Sequence, residues 1–401
     1  MGLSNEGAKH EAVVGVIGCG MLAQATHLKH LNELEGARLK WACDVSAATL
    51  ASVSSRFQPQ KTTHDYREVI ADKEVDAVVL ATAQDMRLPV IEAAARAGKG
   101  VYCEKPLANT LAEMELIREA VERSGICFCA GHNRRSAPSM LRARELFLQQ
   151  RRAPAPCPWR LDRNASLRER WPEEDQAFVL IRINDDLLSW KPWAVSDAIM
   201  AGGPMLFEMT HFTDLACWFI ESPPLSVVSI GHHRTNHTVV VRFADGSLAT
   251  ILETGVGTFG YPKELYELYA HGAAVVLDHF VEIRTGGMEG VPQREFFPLK
   301  GDPHPEASAG GGIRDFYAKR RAAELDAMRT GEPMTALETG PDVDKGHKAH
   351  LAKFLDAVRG RGQTPCSCAA AILATRLAFA AIESQRSGVA VALSPVGRGP
   401  T

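Results

Sequence analysis

The sequence has no long apolar run, no excess of charge of one sign and no internal repeat. The apolar run Ala369–Thr375 ends at Arg376, far short of the ~20 residues that cross a bilayer. Lysine and arginine number 45 and aspartate and glutamate 48, so a net charge of -3 gives no general attraction to nucleic acid or anionic membranes. The 401 residues are 45% apolar and 23% charged, which excludes a disordered chain and predicts two globular domains.

The amino terminus lacks the apolar core of a secretory signal. Asn5, Glu6 and Lys9 lie where that core would be. Gly2 matches the start of a myristoylation motif, but the sixth residue is glutamate rather than serine or threonine. We therefore expect a cytoplasmic protein whose nine cysteines are reduced.

Strand and helix patterns alternate over the first 130 residues. Short β-branched runs such as Val13–Ile17 and Val75–Ala81 are separated by segments of helical periodicity such as 21–35 and Leu111–Ser124. This alternation predicts an α/β domain with a doubly wound parallel sheet over residues 10–131.

The pattern changes after Gly131 to many short strands in near succession, which predicts an α+β domain over 132–392 with a large, mainly antiparallel sheet. Residues 149–175, rich in arginine, proline and tryptophan, are interpreted as an inserted loop. Residues 393–401 are interpreted as a tail. The predicted strands are Phe178–Ile183, Ser226–Ile230, Thr238–Phe243, Leu248–Thr254, Glu264–Ala270 and Ala273–Val281.

A glycine-rich loop follows the first strand. The sequence there is Gly18-Cys19-Gly20-Met21-Leu22-Ala23, a G-x-G-x-x-A pattern that opens a helix. The first glycine permits a tight turn, the second lets a pyrophosphate approach the backbone, and the alanine allows close helix–strand packing. The helix N-terminus adds N–H groups and a positive dipole end, so the loop predicts a dinucleotide site.

The second strand ends at Asp44, close to the spacing expected of a partner for the ribose 2′-hydroxyl. A carboxylate repels a 2′-phosphate, and no arginine follows directly, so the pattern favours NAD over NADP. We assign the rest of the cofactor site to Met21, Leu22 and the strand-end residues Thr82, Glu104 and Lys105.

A second candidate motif is Glu104-Lys105-Pro106, at the end of a predicted strand. Ligands bind at the carboxyl ends of parallel strands, so Lys105 is placed to reach a substrate beside the nicotinamide. Glu104 would hold the lysine ammonium in place. Taken alone, this tripeptide is more often a surface turn.

Three polar residues, Glu208, His211 and Asp214, interrupt an otherwise apolar segment. If the segment is helical, successive members are neighbours on one side. A polar stripe on a buried helix needs a reason, and one reason is a cleft with an imidazole base. The alternative is a structural hydrogen bond between the histidine and the aspartate.

Taken in order, the glycine loop, Glu104-Lys105-Pro106, Gly131-His132-Asn133-Arg134-Arg135 and the segment with His211 resemble the glucose–fructose oxidoreductase / inositol dehydrogenase family (Gfo/Idh/MocA). The resemblance covers nearly the whole chain. It implies an N-terminal Rossmann domain, a C-terminal domain whose open sheet face often mediates oligomerisation, and a cofactor between the two. A homodimer or homotetramer is expected by this analogy.

The resemblance implies that Lys105 and His211 serve the chemistry. A secondary alcohol would lose its hydroxyl proton to one of them as its hydride moves to the nicotinamide. Asp214 would orient the imidazole or bind a substrate hydroxyl. Asn133 lies where the family reaches the substrate pocket, with the two arginines beside it.

The chain departs from the family pattern at several positions. The aspartate four residues before the histidine is Phe207 here, and the acid is Glu208, three before it. After the third strand, Ala83 and Arg87 replace the family's proline and histidine. The arginine either brings positive charge to cofactor or substrate or is a solvated helix residue.

Further substrate residues are proposed with a structural alternative for each. Trp193 would wall a pocket against a sugar, or it packs in a core or interface. Arg134 and Arg135 would read a carboxylate or phosphate, or they clamp backbone carbonyls.

Cysteine and histidine pairs raise the question of a metal. The two C-x-C pairs, which begin at Cys127 and Cys366, are closer than usual zinc ligands and lack further ligands nearby. His232, His233 and His237 also lack a third-ligand pattern and are interpreted as surface histidines at strand ends. We predict no metal.

The sequence thus predicts an NAD(P)-dependent oxidoreductase for a sugar, inositol or related polyol, with no nucleic-acid or membrane partner. Three alternatives stay open on the same fold. One is an enzyme that cleaves glycosides by transient oxidation and elimination, and another is a non-catalytic dinucleotide or sugar sensor. The third is a linear-tetrapyrrole reductase, which no individual residue supports.

Overall fold

A computed structural model describes residues 11–152, 176–187, 203–257, 261–299, 311–330 and 343–393. The chain divides into two units, Met1–Ser136 with Gly346–Arg376 and Ala137–Lys345 with Leu377–Thr401. Within the described ranges, no helix has both the length and the apolar character that a membrane span requires.

The first unit contains six parallel strands in the order β3-β2-β1-β4-β5-β6. The β1–β2 and β1–β4 pairings place both neighbours beside the strand that enters the glycine loop. The predicted doubly wound parallel sheet is therefore confirmed. The strands are β1 (Ala12–Ile17), β2 (Ala37–Cys43), β3 (Lys61–Thr63), β4 (Ala77–Leu80), β5 (Gly100–Cys103) and β6 (Phe128–Ala130).

Five α-helices connect these strands, and the periodicity predicted four of them. The first begins with a π-helical segment, Ala23–His27, in which the N–H of Leu28 bonds to the carbonyl of Ala23, five residues back. A capping box of Thr110 and Glu113 starts the fifth. The helices are α1 (Leu28–Glu33), α2 (Ala47–Phe57), α3 (Tyr66–Ala71), α4 (Arg87–Arg96) and α5 (Leu111–Ser124).

The second unit is built on a nine-stranded sheet in the order β14-β13-β12-β11-β7-β10-β9-β8-β15. Every pairing is antiparallel except that of β7 with β10, so the prediction of a mainly antiparallel sheet is confirmed. The strands are β7 (Phe178–Asn184), β8 (Pro224–Gly231), β9 (His237–Phe243), β10 (Leu248–Thr254), β11 (Glu264–Ala270), β12 (Ala273–Asp278), β13 (Glu282–Gly286), β14 (Arg294–Phe296) and β15 (Val391–Ala392).

One face of this sheet is buried by helices, since residues alternate between buried and accessible along the strands. Val239, Ile251 and Tyr266 point into the core, where Phe212 and Phe219 meet them. The helices are α6 (Pro138–Arg152), α7 (Gly203–Phe207), α8 (Met209–Ile220) and α9 (Gly312–Thr330).

The chain returns to the first unit at Gly346. Helix α10 (His347–Val358) packs Leu351 and Phe354 into the core that also holds Val14 and Tyr102. Helix α11 (Cys368–Ser387) follows, and its residues are divided between the units at Arg376. The predicted domain over 132–392 thus differs from the structure, because helical periodicity does not reveal which sheet a returning helix covers.

Candidate active site

The two glycines of the loop differ in the space around them. Gly18 has φ of +85°, and a Cβ there would lie 2.8 Å from the backbone of Ala81 and Thr82. At Gly20 no atom lies within 4 Å of the position that a Cβ would take. The first glycine is required by the fold, and the second leaves the open backbone that a pyrophosphate needs.

Asp44 is tied to this loop through both of its carboxylate oxygens. Oδ2 accepts from the N–H of Cys19 at 2.8 Å, and Oδ1 accepts from the N–H of Ser46 at 2.9 Å. Its carbonyl oxygen lies 2.9 Å from Nδ1 of His64. The carboxylate is therefore fixed, half-buried, at the loop where a ribose hydroxyl would be recognised.

The start of the helix presents accessible apolar side chains. Met21 is 52% exposed and Leu22 44% exposed, whereas Ala23 is buried against the first unit's core. Thr82 is partly accessible just beyond β4, next to Gly18. These accessible side chains, the tight turn at Gly18, the open backbone at Gly20 and the carboxylate of Asp44 together fit a dinucleotide.

Glu104, directly after β5, forms a buried hydrogen bond with His27. Its Oε1 lies 2.9 Å from Nε2 of His27, and the two side chains are 7% and 2% exposed. Burial alone would raise the pKa of Glu104. The hydrogen bond and charge of His27, with the charges of Lys105 and His347, outweigh burial and lower that pKa to about 2.

Gly131 makes room for this carboxylate. A Cβ on Gly131 would lie 2.8 Å from Oε2 of Glu104 and 2.9 Å from its carboxyl carbon. The glycine at the end of β6 is therefore needed for a close approach rather than for its backbone angles. The motif in the sequence contains Gly131 but gives no sign of this contact, because Glu104 is distant from it in sequence.

Lys105 lies at the carboxyl edge of the sheet, joined by a cis peptide bond to Pro106. Its N–H donates to Oε2 of Glu104 at 3.3 Å. Only β4 lies between β1, which leads into the glycine loop, and β5, which precedes Lys105. Lys105 and the glycine loop are therefore two strands apart in the sheet. The alternative that Glu104-Lys105-Pro106 is a plain surface turn is wrong for Glu104, which is buried.

Arg87 is buried at the start of α4, with 4% of its surface exposed. Nη2 donates to the carbonyl of Thr82 at 3.1 Å, while Nε and Nη1 have no hydrogen-bond partner among the described residues. Burial lowers the pKa of Arg87, and charges including that of Glu104 oppose this shift. The interpretation of Arg87 as a solvated helix residue is therefore wrong.

The segment after β6 is also largely buried. Asn133 and Arg134 are 4% and 5% exposed, in a short 3-10 helix. Nη1 of the half-buried Arg135 donates to the carbonyl of Pro365 at 3.4 Å. This contact is of the kind that the carbonyl-clamp alternative predicts.

In the second unit, His211 and Asp214 lie on α8 and are 4% and 1% exposed. The helix is buried all round, because Thr210 and Thr213 also lie in its core-facing turns. The buried Thr213 hydroxyl donates a hydrogen bond to the carbonyl of Met209 at 3.2 Å. The predicted helix with a buried polar stripe is thus present.

Glu208 lies just outside that helix. It is the N-cap residue of α8, and its side chain makes no capping hydrogen bond. Its carbonyl oxygen accepts from the N–H of His211 at 3.0 Å. Its backbone is in the right-handed helical region, with φ of -102° and ψ of -40°, so the acid stands three residues before His211 at the start of α8.

Two buried pairs of polar side chains in the second unit were not predicted as such. Lys263 Nζ lies 2.8 Å from Oδ2 of Asp185, and Nε2 of His237 lies 3.2 Å from Oε2 of Glu253. The interpretation of His237 as a surface histidine is wrong, since it is 3% exposed and opposite Glu253 in the β9–β10 register. The sequence does indicate such pairs, because a charged residue at an inward-facing position of a strand needs a partner.

Some predictions fall outside the described residues. Trp193 lies there, as do residues 153–175 of the predicted insertion at 149–175 and residues 394–401 of the predicted tail. Residues 149–152 are the last turn of α6.

A family model described as the oxidoreductase family with an NAD-binding Rossmann fold matches residues 13–132. Residues 13–132 thus match the NAD-binding Rossmann fold of the Gfo/Idh/MocA oxidoreductase family. The match ends at the residue after Gly131 and so includes the glycine loop, Asp44, Glu104 and Lys105. It explains why the first unit could be predicted in most detail.

Curated relatives resemble this chain over different lengths. An uncharacterized oxidoreductase, YrbE of Bacillus subtilis, is 21% identical over 399 residues, covering 96% of this chain and 97% of its own. An inositol 2-dehydrogenase of Salmonella typhimurium is 33% identical over 113 residues, covering 28% of this chain. That match spans 33% of the dehydrogenase's own length.

A solved structure extends the likeness to the fold of both units. A levoglucosan dehydrogenase in complex with NADH and L-sorbose superposes with a TM-score of 0.71 at 18% identity. It covers 96% of this chain and 100% of its own. The same fold thus occurs in a solved dehydrogenase with a bound dinucleotide.

Proposed function

We propose that the protein is an NAD-dependent oxidoreductase that moves a hydride between the nicotinamide and a secondary alcohol or ketone of a sugar, inositol or related polyol. The observation that carries the proposal is the buried Glu104–His27 pair at 2.9 Å. It anchors the residue before Lys105 at the sheet edge that also bears the dinucleotide loop.

The fixed position of the Glu104 carboxylate also fixes the backbone of Lys105. The buried contact with His27 and the close approach to Gly131 leave the Glu104 carboxylate little freedom to move. The backbone of Lys105 is bonded to that carboxylate, so the lysine side chain begins from a fixed backbone. Such preorganisation is what stabilising a developing charge requires.

When bound, a nicotinamide dinucleotide supplies the hydride donor or acceptor. Gly18, Gly20 and Asp44 would hold it. The ammonium of Lys105 would stabilise the substrate oxygen as charge develops on it, and His211 would take or return the hydroxyl proton. Asp214 would orient that imidazole, and Asn133 with Arg134 and Arg135 would contact the substrate.

The proposal of NAD rather than NADP rests on Asp44. Its carboxylate is held at the loop by two backbone N–H groups, so it does not swing away to admit a phosphate. The next residues, Val45 and Ser46, bring no cation. A 2′-phosphate would meet uncompensated negative charge.

The substrate class is supported by the relatives. The Salmonella typhimurium protein is named for inositol and the solved neighbour for levoglucosan, both polyhydroxy compounds with secondary alcohols. We carry this class to the present chain as a proposal, because the first likeness covers a third of its relative's length and the second is a likeness of fold.

The decisive experiment mixes the purified protein with NAD+ and a panel of inositols, monosaccharides and sugar acids, and follows NADH fluorescence. Time-dependent NADH formation with a panel member, lost in Lys105→Met and kept in Lys73→Met, supports the proposal. Lys73 is an exposed lysine of the same unit. NADH binding without any turnover across the panel would overturn it.

We also propose a homodimer or homotetramer formed through the outer sheet face of the second unit. Ile230 is 73% exposed, and in the strand register Thr238 separates it from Leu252, which is 40% exposed. An apolar face of this kind fits a second copy of the chain. Sedimentation velocity should show smaller particles for Ile230→Lys than for the wild type, whereas the control Leu116→Lys, on α5, should not change the assembly.

We further propose that the protein works in the cytoplasm. The cysteines in the described part of the chain are all free, and most are buried. Burial raises the pKa of Cys43 and Cys103, each to about 12, which keeps these thiols protonated and unreactive. Reduced cysteines of this kind suit a reducing compartment.

A further inference from the structure

A buried histidine lies on the apolar face of α10, beside the end of β6. His350 is 0% exposed, and Leu351 and Phe354 on the same face pack into the core of the first unit. A buried imidazole needs hydrogen-bond partners for its ring nitrogens. The partners of His350 therefore indicate which part of the chain this helix holds.

His350 bonds to the two residues that flank residues 131–135. Nε2 donates to the carbonyl of Ala130 at 2.8 Å, because a carbonyl oxygen can only accept. Nδ1 lies 2.9 Å from the hydroxyl oxygen of Ser136. One side chain thus ties together both ends of the segment 131–135, which carries Asn133.

The chain that follows α10 supports the same segment. The N–H of Ala130 donates to the carbonyl of Cys366 at 3.0 Å, and Nη1 of Arg135 donates to the carbonyl of Pro365 at 3.4 Å. The 3-10 helix Asn133–Ser136 is only four residues long, so it has few hydrogen bonds of its own. Its position therefore depends on bonds from other parts of the first unit.

The ring of Tyr102, in β5, contacts two buried histidines. It meets the ring of His350 edge-on with the centroids 5.9 Å apart, and that of His27 at 5.2 Å. His27 anchors Glu104, as His350 anchors the segment 131–135. The ends of β5 and β6 are thus each bonded to a histidine that packs on the same aromatic ring.

We propose that His350 is a positioning residue that holds the segment 131–135, and with it the side chain of Asn133, in place for the substrate. Without the imidazole, the carbonyl of Ala130 and the hydroxyl of Ser136 lose this partner, and the segment gains freedom to move. The proposal rests on the proposed function for the role of Asn133. Its geometric part stands on the two hydrogen bonds of His350 and is tested without substrate.

The test uses the full chain with His350→Leu, which removes both hydrogen bonds. His350→Gln is the conservative variant, because a glutamine amide can donate to Ala130 in place of Nε2. The control is Phe354→Leu, one turn further along α10. The Phe354 ring is 0% exposed and packs edge-on against Tyr102 at 5.7 Å. Both leucine variants lose buried packing on the same helix, so a general loss of stability affects them alike.

The first measurement is hydrogen–deuterium exchange, followed by mass spectrometry of peptides that cover residues 130–137. We expect the segment to exchange about tenfold faster or more in His350→Leu than in the wild type, and more slowly again in His350→Gln. Phe354→Leu should stay within about twofold of the wild type there. Wild-type exchange of the segment in a folded His350→Leu protein overturns the proposal, as does equally fast exchange in Phe354→Leu.

The second measurement is turnover with whichever panel sugar or inositol yields NADH. We expect KM for that compound to rise by about tenfold or more in His350→Leu and to recover in part in His350→Gln. The Kd for NADH should change by less than about threefold, because the glycine loop is untouched. An unchanged KM, or an equal rise in Phe354→Leu, overturns the positioning role.

Ser136→Ala keeps the proposal testable where His350→Leu does not fold, since it removes one hydroxyl and one of the two bonds. The control is Thr375→Val, because the buried hydroxyl of Thr375 donates to the carbonyl of Ala371 at 2.8 Å. We expect the segment 131–135 to exchange about threefold faster or more in Ser136→Ala and at the wild-type rate in Thr375→Val. Equal exchange in the two variants overturns the proposal.

The two measurements separate this proposal from the proposed function. If no panel compound is turned over, the proposed function fails, while hydrogen exchange still decides whether His350 holds the segment 131–135. If turnover is observed and the segment exchanges alike in all variants, the proposed function stands and the role of His350 is refuted.

Discussion

The carboxylate of Glu104 lies against the backbone of Gly131, with Oε2 2.8 Å from the place that a Cβ would occupy. The two residues directly follow the neighbouring strands β5 and β6. The same carboxylate is held from the other direction by His27. The residue that precedes Lys105 is therefore fixed by contacts from two other segments of the chain.

Replacing Gly131 by alanine should release this contact. The added methyl must displace the Glu104 carboxylate or the backbone, at a cost of about 1–3 kcal/mol in the free energy of unfolding. Urea unfolding measures it, with Gly286→Ala as the control because nothing lies within 4 Å of a Cβ there. Equal stability of the two variants would contradict the close approach.

The stability contributed by Glu104 should depend on pH. Its pKa is lowered from 4.5 to about 2 by folding. The contribution is therefore complete above the unfolded pKa and is lost as the pH falls through the folded pKa. The unfolding free energy of the wild type should exceed that of Glu104→Gln by about 3 kcal/mol at neutral pH, and the gap should close between about pH 5 and 2.

Denaturant titrations at a series of pH values provide the measurement. Glu35→Gln, at an exposed position of the same unit, is the control and should stay close to the wild type throughout. A gap that is still at its full size at pH 3 would mean that Glu104 is not held as an ionised carboxylate.

Lys105→Met should lower kcat by about 100-fold or more, because it removes the cation that stabilises the reacting oxygen. The Kd for NADH, from fluorescence titration, should change by less than about threefold, since the glycine loop and Asp44 are untouched. Lys73→Met should match the wild type in both. Retained turnover in Lys105→Met would remove Lys105 from the mechanism.

Asp44→Ala should change the preference between the two cofactors. NADH loses a carboxylate partner for its ribose, so its Kd should rise by about tenfold, whereas NADPH loses a repulsion and should change less. Asp76→Ala is the matched control, because Oδ2 of Asp76 also accepts a strand N–H, that of Val13, at 3.0 Å. Parallel losses for both cofactors in Asp44→Ala would refute the assignment to the ribose.

Gly18→Ala and Gly20→Ala should separate folding from binding. At Gly18 both the positive φ and the close backbone oppose a side chain, so the variant should lose about 1–3 kcal/mol of stability or more. At Gly20 the space is open, so the variant should unfold like the wild type but bind NADH at least about tenfold more weakly. Calorimetry measures the loss of stability and fluorescence titration the loss of NADH binding. Tight binding of NADH by Gly20→Ala would show that the pyrophosphate does not bind at Gly20.

The sheet of the first unit was predictable because its signals are local. Ala77–Leu80 is wholly buried and forms an apolar run, and Gly18 and Asp44 each directly follow a strand. By contrast, β3 is three residues long with two of them exposed, so Lys61–Thr63 gives neither an apolar run nor a clear alternation. The same holds for β14, Arg294–Phe296.

The partners of the candidate site residues were less predictable because they are distant in sequence. His27 and Glu104 are 77 residues apart, and nothing local to either indicates the other. Lys263 reads as a polar residue before a strand until the β7–β11 pairing brings it to Asp185. Polar contacts of this kind follow from strand order, which the sequence pattern leaves open.

The π-helical segment at Ala23–His27 has a consequence for the loop that carries Lys105. An α-helix turns by about 100° for each residue, so one residue gained or lost rotates everything after it by that angle. His27 closes the widened turn and meets Glu104 from there. Shortening this segment by one residue would turn the imidazole out of the protein interior, and the loop that carries Lys105 would lose its anchor although no residue of that loop had changed.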